Sequence, residues 1–314
     1  MNEIKINIII PVYKAGRTIR RTLESLVWQE YKNFRITMVQ DGDGLNYLSI
    51  CNMFRERGLD ITLLQMPENG GPGAARQMGL DNDFGSDYIC FLDADDMILP
   101  EGLRILVEKL EEGTDIITSN FLIGDKLVSK TDRPCTWFHG NLYRTEYLVE
   151  KRIRFNPSIR LNEDSYFNFV AFNLTKKIQR IEDVTRIWCD NDESITRKDP
   201  VDFFKQSWCD YIFGMCDGMN LLKDNGGFLH ARLVAATLIF VYSAYMTAIY
   251  FEFDMAEAKA WVQSVSHIVN EYVHDADFWM HLHENLTQTR LLHDTLIFYQ
   301  TNFKDWLDNV VLGG

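Results

Sequence analysis

Tyr88-Ile89-Cys90-Phe91-Leu92-Asp93-Ala94-Asp95-Asp96 is the stretch on which the fold turns: five apolar residues run directly into three carboxylates. An unbroken apolar run of this length suits a strand covered on both faces, as in a parallel sheet. Three upstream stretches repeat the arrangement. Residues 6–10 lead into Pro11-Val12-Tyr13-Lys14, residues 34–39 into Gln40-Asp41-Gly42-Asp43, and residues 61–66 into Glu68-Asn69-Gly70-Gly71-Pro72-Gly73. Helical patterns separate them. Residues 16–28 place Ile19, Leu23, Leu26 and Val27 on one face, and residues 44–57 can form a second helix. Residues 72–80 begin with a proline suited to a first helical turn, and 100–110 form a further helix before a fifth strand at 115–119. Such alternation predicts a Rossmann-like α/β domain: an open, mostly parallel sheet with helices on both faces.

In open parallel sheets, ligands bind beyond the carboxyl ends of the strands. Here four strand ends deliver three acidic clusters and a glycine-rich loop to one edge. Carboxylates two residues apart, as in Asp93-Ala94-Asp95, can share a hard divalent cation that bridges two phosphates. Taken alone, the same residues are an acidic turn ahead of a helix. Asp41 can accept hydrogen bonds from a nucleobase or ribose, or else close a tight turn with Gly42. The loop at 70–73 enters a helix, so its backbone N–H groups can approach a ligand. Arg76 on that helix either reaches a phosphate or lies on the surface.

Together these strings resemble the family 2 glycosyltransferases, which have the GT-A fold. The resemblance is carried by Ile8-Ile9-Ile10-Pro11-Val12-Tyr13, Val39-Gln40-Asp41-Gly42, Asn69-Gly70-Gly71 through Ala75-Arg76, and Phe91-Leu92-Asp93-Ala94-Asp95-Asp96. His139-Gly140-Asn141-Leu142-Tyr143-Arg144 and Asn162-Glu163-Asp164 extend it over residues 4–197. It implies an inverting, single-displacement transfer from a nucleotide-diphosphate sugar. On the matching positions, Pro11 and Tyr13 line the base pocket, Asp41 binds the base, and Gly71, Arg76 and Ala94 lie at the donor. Asp93 contacts ribose or metal, Asp95 ligates Mn²⁺ or Mg²⁺, and Asp164 is the general base. Asp164 opens a helical pattern, where the helix dipole favours an ionised carboxylate; without the resemblance it reads as an acidic cap.

The chain departs from the family pattern in places. Gln40 stands where an acid is frequent, Asp43 where serine is usual, and Gln77 where asparagine is common. Cys189-Asp190-Asn191-Asp192-Glu193-Ser194-Ile195-Thr196-Arg197 carries no histidine, which some relatives use as a metal ligand. His139 or water is left to complete the metal shell. Ser194 and Arg197 resemble the tail that closes over the donor diphosphate.

Composition narrows the rest. A net charge of −13 argues against gross binding of nucleic acid, although Lys14, Arg17, Arg20 and Arg21 form a short basic run. The six cysteines have no framework spacing and, with no signal-peptide pattern in view, predict a reduced, cytoplasmic protein. Residues 233–251 approach membrane length but carry polar residues and lack a basic flank, so a buried helix is expected rather than a span. The expected division is a GT-A catalytic domain at 1–198, with the donor side in 1–120 and the acceptor side in 121–198. An all-α domain of four or five helices follows at 199–314, a candidate surface for a homo-oligomer. The acceptor is open: a glycan, a small molecule or a modified nucleic acid such as hydroxylated viral DNA. A non-catalytic nucleotide-sugar binding module is the reading from another class.

Overall fold

The computed structural model describes residues 3–130, 137–189, 200–250, 252, 254–288 and 303–313. By internal contacts the chain forms two compact units, Met1–Ser194 and Ile195–Gly314. In the first, β1 (Ile6–Val12), β2 (Phe34–Gln40), β3 (Ile61–Gln65) and β4 (Tyr88–Phe91) pair in parallel, in the order β3-β2-β1-β4. Ile6, Ile8, Ile9 and Ile10 are fully buried, as an apolar run in a covered central strand must be. On one face Ile6, Ile8, Ile10 and Val12 join a core with α1 (Ile19–Val27), α2 (Leu48–Arg55) and α4 (Gly102–Lys109). On the other, Ile9 meets α3 (Pro72–Asp81) at Gly79, where a Cβ would lie 2.5 Å from Ile9 Cγ2. The missing side chain lets this helix lie close to the sheet.

Beyond β4 the sheet becomes mixed. β8 (Asn141–Arg144) runs antiparallel to both β4 and β6 (Ile116–Ile123), and β9 (Ile178–Trp188) runs parallel to β6. The short β5 (Met97–Ile98) closes the order against β9, and β7 (Lys126–Val128) folds back on β6 as a hairpin. The strand expected at 115–119 thus continues to Ile123. The first four strands are separated by single helices and pair in parallel, which is why their alternation was conspicuous in the sequence. The sheet turns the chain back through α5 (Thr145–Glu150) and α6 (Glu163–Asn173).

The second unit is helical among its described residues: α7 (Pro200–Asp224), α8 (Ala231–Tyr250), α9 (Ala256–Gln263), α10 (Ser266–Tyr272) and α11 (Ala276–Gln288), then a π-helical turn at Leu307–Val311. α8 is long and apolar enough to cross a membrane, yet more than half of its apolar window is buried. Val234, Leu238, Val241 and Tyr242 are fully buried, and α8 packs on α7 and α11.

Candidate active site

Each parallel strand ends in a loop whose polar groups are tied to the next. After β2, the buried Asp41 carboxylate accepts from the backbone N–H of Gly70 (2.7 Å) and Gly71 (3.0 Å) and from Asn69 Nδ2 (3.0 Å). It thereby fastens the glycine loop at the start of α3, where peptide dipoles favour negative charge. In this state Asp41 is engaged with that loop rather than presented to a base. Gly42 follows at φ 61°, and a Cβ there would fall 2.2 Å from the Glu68 carbonyl carbon. Only glycine permits this approach.

Asp43, the departure from serine, accepts four hydrogen bonds. Gln40 Nε2 and Leu45 N–H donate to Oδ1, and Lys14 N–H and the Tyr47 hydroxyl to Oδ2, at 2.7 to 3.0 Å. Burial would raise its pKa, but the bonds from Tyr47, Leu45 and Lys14 hold it below the ordinary value. The loop after β1, with Tyr13 40% exposed, is thus clamped to the loop after β2. Pro11 lies in β1, in register with Val39 of β2. Gln77, the other departure, accepts the Phe155 N–H at 2.9 Å.

The turn after β4 closes with the Asp96 N–H donating to the Asp93 carbonyl at 3.1 Å, so the residues do form a turn. They also converge on two buried arginines. Arg76 is only 4% exposed, which sets aside the surface reading. Its Nη2 lies 2.6 Å from Asp93 Oδ1 and its Nη1 2.5 Å from Glu163 Oε1, while its guanidinium lies 4.9 Å from the Phe138 ring centre. Arg186, on β9, donates to the Phe91 carbonyl (2.7 Å) and to Asp96 Oδ2 (3.0 Å), and stands 4.0 Å from Asp93 Oδ2. Burial would raise the Asp93 carboxyl, yet Arg76 and then Arg186 outweigh it and bring it down to about 2. Asp93 is therefore ionised at neutral pH. Ala94 is buried, and the Asp95 carbonyl accepts from Arg21 Nη2 at 2.7 Å.

Asp96 is fully buried and saturated: besides Arg186 it accepts from the Cys189 N–H (3.0 Å) and pairs with His139 Nε2 (3.1 Å). Burial, then Arg186, pushes the His139 pKa down despite Asp96, so the imidazole is neutral. With Nε2–H turned to Asp96, its buried Nδ1 is left with a lone pair and no partner. Ligand atoms of Asp93, Asp96 and His139 lie within 4.8 Å of one another. Hard carboxylate oxygens with an imidazole among them, the Asp93 side chain 35% exposed, are a donor chemistry that fits Mn²⁺ or Mg²⁺.

Asp164 lies in the first turn of α6, after Asn162 in the left-handed region at φ 61°. Its Oδ1 accepts the Ser165 N–H at 2.7 Å. Burial first, then the neighbouring Glu163 carboxylate, pushes its pKa up to about 7, with Arg76 opposing. A carboxyl poised there accepts a proton at neutral pH. The Arg76 bridge brings α6 to the Asp93 turn. Arg197 and Ser194 lie outside the described residues. Arg186, Glu163 as the partner of Arg76, and Asp96 as an anchor were not singled out from the sequence. An arginine within a mixed strand carries no local sign of burial.

The glycosyl transferase family 2 model matches residues 7–169. Glycosyltransferase GlyA of Streptococcus pneumoniae is 30% identical over 204 residues, covering 55% of this chain and 29% of GlyA. An uncharacterised glycosyltransferase of Haemophilus influenzae is 34% identical over 181 residues, covering 53% of this chain and 72% of that protein. The match to GlyA thus spans less than a third of its length. Among solved structures, S. aureus TarS 1–349 with UDP-GlcNAc superposes at a TM-score of 0.65 and 19% identity, covering 86% of this chain and 82% of that one. The mannosyltransferase PcManGT of Pyrobaculum calidifontis, with GDP-Man and Mn²⁺, gives 0.54 at 15% identity, covering 91% and 88%. With its strand-end carboxylates, its mixed sheet and the match over residues 7–169, this chain belongs to glycosyl transferase family 2 and is a glycosyltransferase of the GT-A fold.

Proposed function

We propose that the protein moves a sugar from a nucleotide-diphosphate sugar to an acceptor hydroxyl, inverting the anomeric carbon in one displacement. The observation that carries this reading is the shared guanidinium of Arg76, which holds the Asp93 turn and the Asp164 helix in one network. Asp164 takes the acceptor proton while the acceptor oxygen bonds to the anomeric carbon. The bond to the diphosphate breaks, and the nucleoside diphosphate leaves with the electron pair. Asp93 and Asp95, with His139 beside Asp93, would hold Mn²⁺ or Mg²⁺, which when bound would supply positive charge to offset that of the leaving diphosphate. Pro11, Tyr13, Asp41, Gly71, Arg76, Ala94 and Arg197 form the donor side, Asp41 through its hold on the glycine loop. In this reading residues 1–120 hold the donor, 121–198 face the acceptor, and 199–314 form the helical domain. A reducing, cytoplasmic setting suits Cys51, Cys90, Cys189, Cys209 and Cys216, all free thiols.

A thermal-shift screen of uridine, guanosine, cytidine and thymidine diphosphate sugars, with and without Mn²⁺, tests the assignment. One base should stabilise the protein only with metal, by about 2.7 kcal/mol at a hundredfold excess over Kd. No stabilisation by any of them overturns it.

A further inference from the structure

Beside the acidic cluster stands an aromatic stack that the donor chemistry does not use. Arg186 and Trp188 share one face of β9 through the two-residue repeat of a strand. Arg186 reaches Asp96, and two residues on Trp188 stacks against His139 at 5.2 Å with planes 30° apart. Phe121 also stacks on the imidazole, at 4.7 Å and 21°. Phe121 is fully buried and His139 nearly so, but Trp188 at the end of the stack is 37% exposed. Trp137 stands at its side, ring centres 6.3 Å apart. Its backbone is fixed by Lys130 Nζ and Asn141 Nδ2, which donate to its carbonyl at 2.8 and 3.2 Å.

We propose that the exposed indole of Trp188, flanked by Trp137, is the stacking site for a pyranose ring of a saccharide acceptor; this rests on the glycosyl-transfer reading above. An indole face is electron-rich and apolar, and complements the C–H face of a sugar ring. It offers nothing to a diphosphate, which needs cations. A neutral saccharide has no charge by which to be held, so contact area with a rigid ring must supply its affinity. His139 and Phe121 pack against one another beneath the indole and hold it before any ligand arrives. A single-stranded nucleic acid would stack as well, but such sites set their aromatics in a basic groove. The cations beside the stack are Lys130 and Arg186, both buried and engaged, Lys130 with the Trp137 carbonyl and Asn141 and Arg186 with Asp96, so they form no basic groove.

The test is calorimetric titration of wild type, Trp188→Phe and Trp188→Ala, with Mn²⁺ and the stabilising nucleoside diphosphate present. Glucose, galactose and N-acetylglucosamine trisaccharides serve as probes, with an oligothymidylate as the competing class. Wild type should bind a trisaccharide, Trp188→Phe within about 3-fold of it, and Trp188→Ala at least about 10-fold more weakly, the size of effect found for aromatic stacking. Nucleotide affinity should hold in all three, each measured well below its own melting temperature. Equal saccharide binding by Trp188→Ala, no saccharide binding by wild type, a parallel loss of nucleotide binding, or Trp188-dependent binding of the oligothymidylate each overturns the proposal. Failure of wild type to bind any nucleotide sugar instead overturns the glycosyl-transfer reading.

Discussion

Asp164 and Arg76 divide the work of the site. Asp164 holds a proton up to about pH 7 because burial and Glu163 disfavour its charge. In the proposed mechanism the ionised form is the base, so transfer should rise with pH through about 7. The linkage sign is opposite for stability. The folded state keeps this proton at a pH where the unfolded chain has lost it, so this group's contribution falls as pH rises toward 7. A pH–rate profile checks the first statement; a midpoint at the ordinary carboxylate value of about 4 would contradict it. Arg76 compensates two carboxylates at once. Arg76→Met should cost about 3 kcal/mol in urea denaturation, the low end for a broken buried pair, because Asp93 is still 35% exposed. A cost below about 1 kcal/mol, the range of surface pairs, would show that the bridge does not form in solution.

At the scale of elements, α3 depends on Gly79 to lie against β1. Alanine is the better helix former by about 1 kcal/mol, so an open helix face would be stabilised by Gly79→Ala. Here the added methyl meets the branched Ile9, and the prediction is a loss of about 1–3 kcal/mol. A gain on thermal or urea unfolding would mean that the packing is looser than described. The same element shows what the sequence made legible. The helix was readable from Pro72 and the apolar runs, and the loop before it from Gly70-Gly71, because these are local conformational signals. That Asp41 fastens this loop was not readable, since it depends on how close β2 and α3 come in space. Likewise β9 carried Arg186 and Trp188 in a mixed pattern. Only its long-range register beside β6 and its approach to Asp96 show that one is interior and the other an aromatic rim. The acidic strand ends were legible because chain order alone brings parallel strands to a common edge. Asp96 and His139 were visible as residues, but their coupling to Arg186 depends on contacts across 40 to 90 positions.

For the whole molecule, the charge of −13 sits on a chain in which Asp93, Asp96 and Glu163 are paired with arginine. The excess thus belongs to the rest of the chain and gives no attraction for a polyanion. The family match lies within the first unit, as do Asp93, Asp95 and Asp164. The proposed mechanism divides the site into a metal–diphosphate half at Asp93 and Asp95 and a base at Asp164. Asp164→Asn separates them, since the amide keeps the shape and loses the base. Single-turnover transfer and Mn²⁺-dependent binding of the nucleotide sugar should be measured on the same preparation. Under this division transfer should fall by about 10²–10⁴-fold while donor affinity stays within a few-fold of wild type. Unchanged turnover with donor binding intact would contradict it.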